Sequence, residues 1–197
     1  MEALVRAIYP HASTRTDRSS GKRIAAIGRA LGMKVLVAAR KPSSNPAQRD
    51  AQDAFQIPKT EDGRVLFDDV LRQATVIVLS LPRNPETLNL LSAAEFGRMH
   101  PYALLINIAR GGIVDEAAVV QALKEKRIAG YASDVYQVEP VGGPEDTPLL
   151  AEHAKGLNIT LSPHLAWFSQ KTIKNLGEIL KATTEAALKG EDINVVA

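Results

Sequence analysis

The chain has 197 residues, of which 45% are hydrophobic and 23% charged, a composition typical of a soluble domain with a sizeable core. It contains no cysteine, which excludes disulfides, thiolate metal sites and a thiol nucleophile. Its longest apolar runs, residues 76–81 and 103–109, are far shorter than the roughly 18 residues of a membrane span, and Arg6 interrupts the apolar amino end where a secretory signal is continuous. The sequence therefore predicts a cytoplasmic protein without a bilayer crossing.

The net charge of +2 gives no global indication of nucleic-acid binding. The charge is unevenly distributed, because residues 1–41 hold nine basic and two acidic side chains while the remainder holds 15 and 20. Since aromatic residues are not interleaved with these cations, the skew indicates either a solvated face or a site for a small phosphate-bearing ligand.

Helical and strand patterns alternate from residue 21 onward, which predicts an α/β fold built on a doubly wound parallel sheet. The predicted helices are 22–31, 67–73, 87–99, 115–126 and 169–188, and the predicted strands are 33–38, 75–82, 103–109, 130–136 and 158–164. Helix 67–73 is expected to open at Asp68 or Asp69. Residues 3–9 offer a further strand joined to the first helix by a longer loop.

Three motifs follow one another at the ends of the predicted strands. They are ARGG-x-VDE at 109–116, DV-x-x-x-EP at 134–140 and PH-x-AW at 163–167. In this order and spacing they resemble the NAD(P)-dependent D-2-hydroxyacid dehydrogenases, and the glycerate dehydrogenase (hydroxypyruvate reductase) branch is the most similar. The resemblance implies a Rossmann-type dinucleotide-binding domain at 21–168, a carboxy-terminal helix and tail of the substrate domain at 169–197, and an unmatched segment at 1–20.

Arg110 and His164 each stand where a predicted strand ends, and ligands bind at the carboxyl ends of strands in open α/β sheets. The guanidinium of Arg110 can clamp a carboxylate and polarise a neighbouring carbonyl, although it can equally satisfy a backbone carbonyl in the Gly-Gly turn. The imidazole of His164 can donate a proton near neutral pH. The other three histidines, at 11, 100 and 153, are interpreted as bystanders.

The resemblance assigns a reaction to these residues. It implies that hydride passes from a reduced nicotinamide to C2 of a 2-oxoacid, with hydroxypyruvate or glyoxylate as the substrate class and no metal. Arg110 holds the substrate, His164 protonates the oxygen, and Glu139 orients the imidazole, unless Glu139 is only a solvated loop acid. Trp167 either lines the substrate pocket or only packs against other side chains.

The resemblance also implies the residues that contact the cofactor. Asp134 meets the nicotinamide carboxamide, unless it only caps a turn. The remaining implied contacts are Gly21, Lys22, Pro82, Ile108 and Ala109.

The dinucleotide fingerprint G-x-G-x-x-G is incomplete in this chain. Only Gly21 matches, at the third glycine, while Thr16 and Arg18 occupy the first two positions. Because those glycines let the backbone approach the pyrophosphate closely, we expect weak cofactor binding.

The position that usually carries the ribose-binding acid is Ala39, which is followed by Arg40 and Lys41. Loss of an acid and gain of two cations favours NADP over NAD, because a 2′-phosphate is anionic. The alternative is a basic surface turn.

Most of the family's substrate domain precedes the fingerprint, and we expect it to be largely missing here. This interpretation predicts activity far below that of full-length relatives. The resemblance implies a homodimer formed through the dinucleotide-binding domain. The last helix also carries an apolar stripe through Ile173, Leu176, Ile179 and Leu180 that lacks its usual surface, which favours self-association. The alternatives are a non-catalytic nucleotide- or protein-binding remnant of the family and a nonfunctional fragment.

Overall fold

The computed structural model describes residues 4–8, 17–41 and 63–193. They divide into two compact units, which lie within residues 1–163 and 164–197. The first unit contains a six-stranded parallel sheet in the order β2-β1-β3-β4-β5-β6. Its strands are β1 (Leu4–Ile8), β2 (Lys34–Ala38), β3 (Val76–Leu79), β4 (Leu104–Asn107), β5 (Gly130–Ser133) and β6 (Ile159–Leu161).

Among the described residues, four α-helices belong to the first unit and one to the second. They are α1 (Asp17–Ala30), α2 (Phe67–Gln73), α3 (Ala93–Phe96), α4 (Glu116–Lys124) and, in the second unit, α5 (Gln170–Leu188). Among the described helices, none is both long and apolar enough to cross a membrane.

The central strands are buried because their sequences are apolar at nearly every position. In β3, Ile77 and Leu79 are fully buried, and in β4 Leu105 is fully buried. Strands covered on both faces are typical of parallel sheets with flanking helices. The predicted doubly wound α/β fold is therefore confirmed.

The strand order reverses between β1 and β3. The chain passes from β1 through α1 to β2 on one side, whereas β3 pairs with β1 on the other, with Ile8 opposite both Ala38 and Leu79. Such a reversal opens a crevice at the carboxyl ends of the two strands, where doubly wound sheets bind ligands.

The sequence predicts the start of a helix accurately where the residue that caps the helix is polar. The Asp115 carboxylate accepts a hydrogen bond from the Ala118 amide at 3.0 Å and starts α4. The Ser169 hydroxyl accepts one from the Thr172 amide at 3.1 Å and starts α5. Side-chain oxygens at this position satisfy amides that have no partner within the helix.

Two element predictions need correction, and a third is confirmed. Helix α1 begins at Asp17 instead of residue 22, so that Gly21 and Lys22 lie inside it. Helix α2 has Leu66 at its cap without a side-chain bond, and Asp68 and Asp69 lie in its first turn. The strand offered by residues 3–9 exists as β1, so the sheet takes in residues that precede 21.

The predicted helix 87–99 is wrong except at α3. The Asn84 side chain accepts hydrogen bonds from the amides of Glu86 and Thr87, each at 3.0 Å, which forms a turn. The chain then runs beside the segment after β4, where the Leu91 amide donates to the carbonyl of Ile113 at 3.2 Å. Those backbone groups are thereby withdrawn from a helical ladder.

Candidate functional site

A cleft of about 570 Å³ lies at the carboxyl ends of β3 and β4 in the first unit. It is lined by one residue of α1, by the segment that follows β3 and by the segment that follows β4. These residues are Ser20, then Ser80, Leu81, Pro82 and Arg83, and then Ile108, Ala109 and Arg110. Its volume lies in the range of roughly 300–1,000 Å³ that is usual for small-molecule sites.

The turn that carries Arg110 is held by Asn107, which is only 1% exposed. The Asn107 Nδ2 donates to the carbonyl of Arg110 at 3.1 Å, and its Oδ1 accepts from the amide of Ala109 at 3.1 Å. The Asn107 carbonyl accepts from the amide of Asp134, also at 3.1 Å. The Asn107 side chain thus fixes the turn, and the Asn107 backbone carbonyl joins the end of β4 to the end of β5.

The Arg110 side chain is exposed, and its Nη1 donates to the carbonyl of Ala109 at 2.7 Å. A contact with a backbone carbonyl is what we expected of Arg110 if its role were structural. It uses one of the five N–H donors of a guanidinium, while the same side chain lines the cleft. Arg110 therefore has a local backbone contact and is also one of the residues that line the cleft.

The two glycines after Arg110 allow close packing around the turn. A Cβ on Gly111 would lie 1.6 Å from the Tyr136 carbonyl oxygen, so only glycine fits there. Gly112 adopts a φ of 75°, and a Cβ on it would lie 3.4 Å from the Arg83 Cζ. The Gly-Gly pair therefore packs closely against the Tyr136 backbone and the Arg83 side chain.

The ends of β5 and β6 are joined by polar contacts. The Ser162 hydroxyl donates to the carboxylate of Asp134 at 2.5 Å, and the Tyr136 hydroxyl donates to the Ser162 carbonyl at 3.0 Å. Asp134 is buried at the end of the strand, and its role at the nicotinamide remains a prediction.

The Glu139 carboxylate is exposed and accepts a hydrogen bond from the Tyr136 amide at 2.8 Å. Its loop is held by the buried Glu116, which accepts from the Gln137 amide at 2.8 Å and from the Thr147 hydroxyl at 2.6 Å. Burial raises the pKa of Tyr136, and the carboxylates of Asp134, Glu116 and Glu139 raise that pKa further. This end of the sheet is therefore rich in negative charge.

His164 and Trp167 belong to the second unit. His164 has a φ of 56°, in the left-handed region, which costs roughly 1–2 kcal/mol for a residue with a side chain. Trp167 and Phe168 make an edge contact, with ring centroids 5.6 Å apart and planes at 84°.

The two predicted 2′-phosphate cations are paired with carboxylates. The Arg40 guanidinium forms an exposed ion pair with Glu86. The Lys41 Nζ lies 3.0 Å from the Glu95 Oε1 and donates to the Leu90 carbonyl at 3.3 Å. Because Glu95 is only 2% exposed, Lys41 has a structural partner, whereas Arg40 remains at the surface.

The fingerprint positions are only partly described. Gly21 is buried and Lys22 exposed within α1. Arg18 lies in the first turn of α1 and Thr16 lies outside the described residues. The predicted obstruction of the pyrophosphate therefore remains a prediction.

Sequence analysis missed Asn107, which holds the Arg110 turn, and four residues of the cleft lining, Ser20, Ser80, Leu81 and Arg83. Arg83 comes shortly after β3, as Arg110 comes shortly after β4, so the argument applied to Arg110 could have found it. Asn107 is an amide at the end of an otherwise apolar strand, a position that indicates hydrogen bonding in the following turn. Within the described ranges, no cluster of histidine or carboxylate side chains could hold a metal ion.

Comparison with known proteins identifies the family. Residues 19–166 match the model of the D-isomer specific 2-hydroxyacid dehydrogenase NAD binding domain. The chain belongs to this family. The predicted resemblance is thereby confirmed, and the first unit contains a nicotinamide-dinucleotide-binding domain.

Individual relatives agree with this assignment. The chain is 39% identical over 176 residues to glycerate dehydrogenase of Methylorubrum extorquens, covering 89% of this chain and 49% of that protein. It is 33% identical over 185 residues to hydroxypyruvate reductase of Blautia hydrogenotrophica, covering 92% and 50%. D-lactate dehydrogenase with NAD⁺ from Lactobacillus jensenii superposes with a TM-score of 0.72 at 27% identity, covering 99% and 55%. The chain spans about half the length of the curated relatives it matches.

Proposed function

We propose that this chain supplies the cofactor half of a D-2-hydroxyacid dehydrogenase. The reaction moves hydride between a nicotinamide cofactor and a small 2-hydroxy or 2-oxo acid of the hydroxypyruvate or glyoxylate class. The observation that carries the proposal is the placement of Arg110, which lines the cleft at the carboxyl edge of the sheet on a turn fixed by Asn107.

The residues of the cleft fit a nicotinamide dinucleotide. Its lining combines the apolar side chains of Leu81, Pro82 and Ile108 with serine hydroxyls and two guanidiniums, and among the described residues it includes no carboxylate. Apolar walls suit a flat ring and cations suit phosphates and carboxylates. Pro82, Ile108, Ala109 and Asp134 would hold the nicotinamide end, with Gly21 and Lys22 on the side of α1. When bound, the cofactor supplies or accepts the hydride.

Side chains of the protein bind the substrate and transfer the proton. Arg110 binds the carboxylate of the 2-oxoacid and polarises its C2 carbonyl, because a planar guanidinium can serve two acceptors at once. His164 donates a proton to the C2 oxygen during reduction and removes it during oxidation. Glu139 accepts a hydrogen bond from the other ring nitrogen and stabilises the protonated imidazole.

NADP is the preferred cofactor in this proposal. Ala39 leaves the 2′ position without an acid, and the exposed Arg40 can exchange its partner Glu86 for a 2′-phosphate. Lys41 is assigned no such role, because it is paired with the buried Glu95, to which Arg98 is also paired.

The proposed domain limits are those of the sequence, namely an unmatched segment at 1–20, a dinucleotide-binding domain at 21–168 and a substrate-domain helix and tail at 169–197. The family match over 19–166 supports the middle segment, to whose sheet β1 adds a strand.

A homodimer is also proposed. Its support is the exposed apolar stripe of α5, where Ile173, Leu176, Ile179 and Leu180 are 46%, 61%, 53% and 67% exposed, and light scattering tests it.

A substitution at Arg110 tests the proposed function. Oxidation of NADPH and NADH with hydroxypyruvate and glyoxylate is measured for the chain and for Arg110→Gln, with Arg127→Gln as the control. Arg127 is an exposed arginine paired with Glu125, remote in sequence from the cleft residues. We expect Arg110→Gln to lower kcat/KM by roughly 10²-fold or more through loss of a charge-assisted contact, with Arg127→Gln unchanged. Equal kcat/KM for Arg110→Gln and the wild type would contradict the proposal.

A further inference from the structure

A carboxylate from a distant segment lies beside the end of β2, where the chain has alanine instead of an acid. In doubly wound dinucleotide-binding folds, an Asp or Glu at this place accepts hydrogen bonds from the adenosine ribose. Here the residue is Ala39, which is buried, and the next residue, Arg40, forms an ion pair with Glu86 from the turn that follows β3. Glu86 thus brings a carboxylate to the end of β2.

The strand order explains how these two side chains meet. Strands β2 and β3 flank β1 on opposite sides, with Ala38 and Leu79 both opposite Ile8. Because Arg40 follows β2 and Glu86 follows β3, their ion pair spans the carboxyl end of β1. This is the point where the strand order reverses and where doubly wound sheets bind their ligands.

Other contacts hold the backbone on which each partner of this ion pair stands. The amide of Ala39, which precedes Arg40, donates to the Val65 carbonyl at 2.7 Å. The amide of Glu86 donates to the Asn84 side chain at 3.0 Å. The ion pair itself is exposed, and exposed ion pairs contribute little to stability. A ligand group can therefore take the place of either partner without loss of the surrounding turns.

The two side chains favour different cofactors. A carboxylate accepts hydrogen bonds from the ribose hydroxyls of NAD and repels the 2′-phosphate of NADP, whereas a guanidinium attracts that phosphate. We propose that Glu86 is a specificity-determining residue, which binds the 2′-hydroxyl of NAD and competes with the 2′-phosphate of NADP for Arg40. The inference rests on the proposed function, because Arg40 must lie at the adenosine ribose.

Binding measurements test the inference without requiring turnover. Isothermal titration of the full chain compares NADP⁺ with NAD⁺, and 2′,5′-ADP with 5′-AMP, for the wild type and for Glu86→Gln. The members of each pair differ only in the 2′-phosphate, and the second pair lacks the nicotinamide, so that it reports on the ribose end alone. Glu125→Gln is the control, because Glu125 is also an exposed carboxylate that is paired with an arginine, Arg127.

We expect Glu86→Gln to bind NADP⁺ and 2′,5′-ADP about fivefold more tightly, because a like charge beside the phosphate is removed. The same substitution should weaken the binding of NAD⁺ and 5′-AMP about threefold, because a neutral amide accepts hydrogen bonds less strongly than a carboxylate. Damage to the turn would instead weaken the binding of every ligand. Glu125→Gln should leave all four affinities unchanged.

Affinities that change in the same direction for both members of a pair would overturn the inference, and so would an unchanged preference in Glu86→Gln. Either result, in a chain that binds the dinucleotides, leaves the proposed function standing. If the wild type binds none of the four ligands, the cofactor half of the proposed function fails and the inference fails with it. A preference that depends on Glu86, in a chain that transfers no hydride, supports the inference and overturns only the proposed reaction.

Discussion

The shape of the cleft depends on the buried side chain of Asn107. It satisfies the amide of Ala109 and the carbonyl of Arg110, which no regular ladder reaches after β4 ends. Buried polar groups without partners are costly. Asn107 therefore holds the backbone that presents Arg110, and in the proposed reaction it is a positioning residue.

Asn107→Leu should destabilise the protein by about 1–3 kcal/mol, because it leaves two backbone groups unpaired. It should also weaken oxoacid binding. The control is Asn158→Leu, which removes a comparable contact, from the Asn158 Nδ2 to the Ala129 carbonyl at 2.7 Å, at an exposed site. Urea unfolding and oxoacid titration measure the two effects. Unchanged oxoacid affinity in Asn107→Leu would show that the turn does not need this side chain.

Arg40→Ala should weaken NADPH binding by about tenfold and leave NADH binding unchanged, because only NADPH offers a 2′-phosphate to the guanidinium. Arg72→Ala is a matched control, since the Arg72 side chain is 57% exposed and ion-paired, as Arg40 is at 56%. Titration of nicotinamide fluorescence gives both affinities. A wild-type preference for NADH would refute the assignment of NADP.

At the scale of elements, α3 and the end of β2 are joined through a buried carboxylate. Burial raises the pKa of Glu95, but hydrogen bonds from Ser92 and Lys41 outweigh that effect, and the net pKa is below its ordinary 4.5. A carboxyl whose folded pKa is lowered adds stability above its unfolded pKa and loses it as the pH falls through the folded pKa.

Lys41→Met should therefore destabilise the protein at neutral pH more than at a pH well below 4.5, where Glu95 is protonated in both variants. Lys155→Met is the control, because Lys155 pairs with Glu152 at an exposed site where both side chains are largely solvated. Urea unfolding at the two pH values measures the difference. Equal destabilisation of Lys41→Met at both would contradict the assigned partner.

Elements with a strong local signal could be predicted from the sequence. The signals for β3 and β4 are their apolar runs, and the signals for α4 and α5 are the polar caps Asp115 and Ser169. Each of these signals lies in the sequence of the element itself. The helix expected at 87–99 failed because the partner of Leu91 is Ile113, a contact between distant segments. The burial of Glu95 against Lys41 is likewise tertiary and leaves no periodic pattern.

At the scale of the whole molecule, the order of the strands explains why distant motifs share one edge. The segments after β3 and β4 lie side by side because these strands are neighbours in register, with Leu79 opposite Asn107. The sequence predicted Arg110 at this edge from its place after a strand. It did not predict Arg83 beside Gly112, because that approach depends on the shape of two turns.

The central claim is that this chain takes part in hydride transfer to C2 of a 2-oxoacid. Hydroxypyruvate is incubated with the full chain and with NADPH or NADH carrying deuterium at the transferred C4 position, and the product is analysed by mass spectrometry and chiral chromatography. The account predicts D-glycerate with deuterium at C2, and a rate roughly 10²–10⁴-fold lower for His164→Gln with cofactor affinity unchanged. Glycerate without deuterium, or no product while the cofactor is bound, would contradict it.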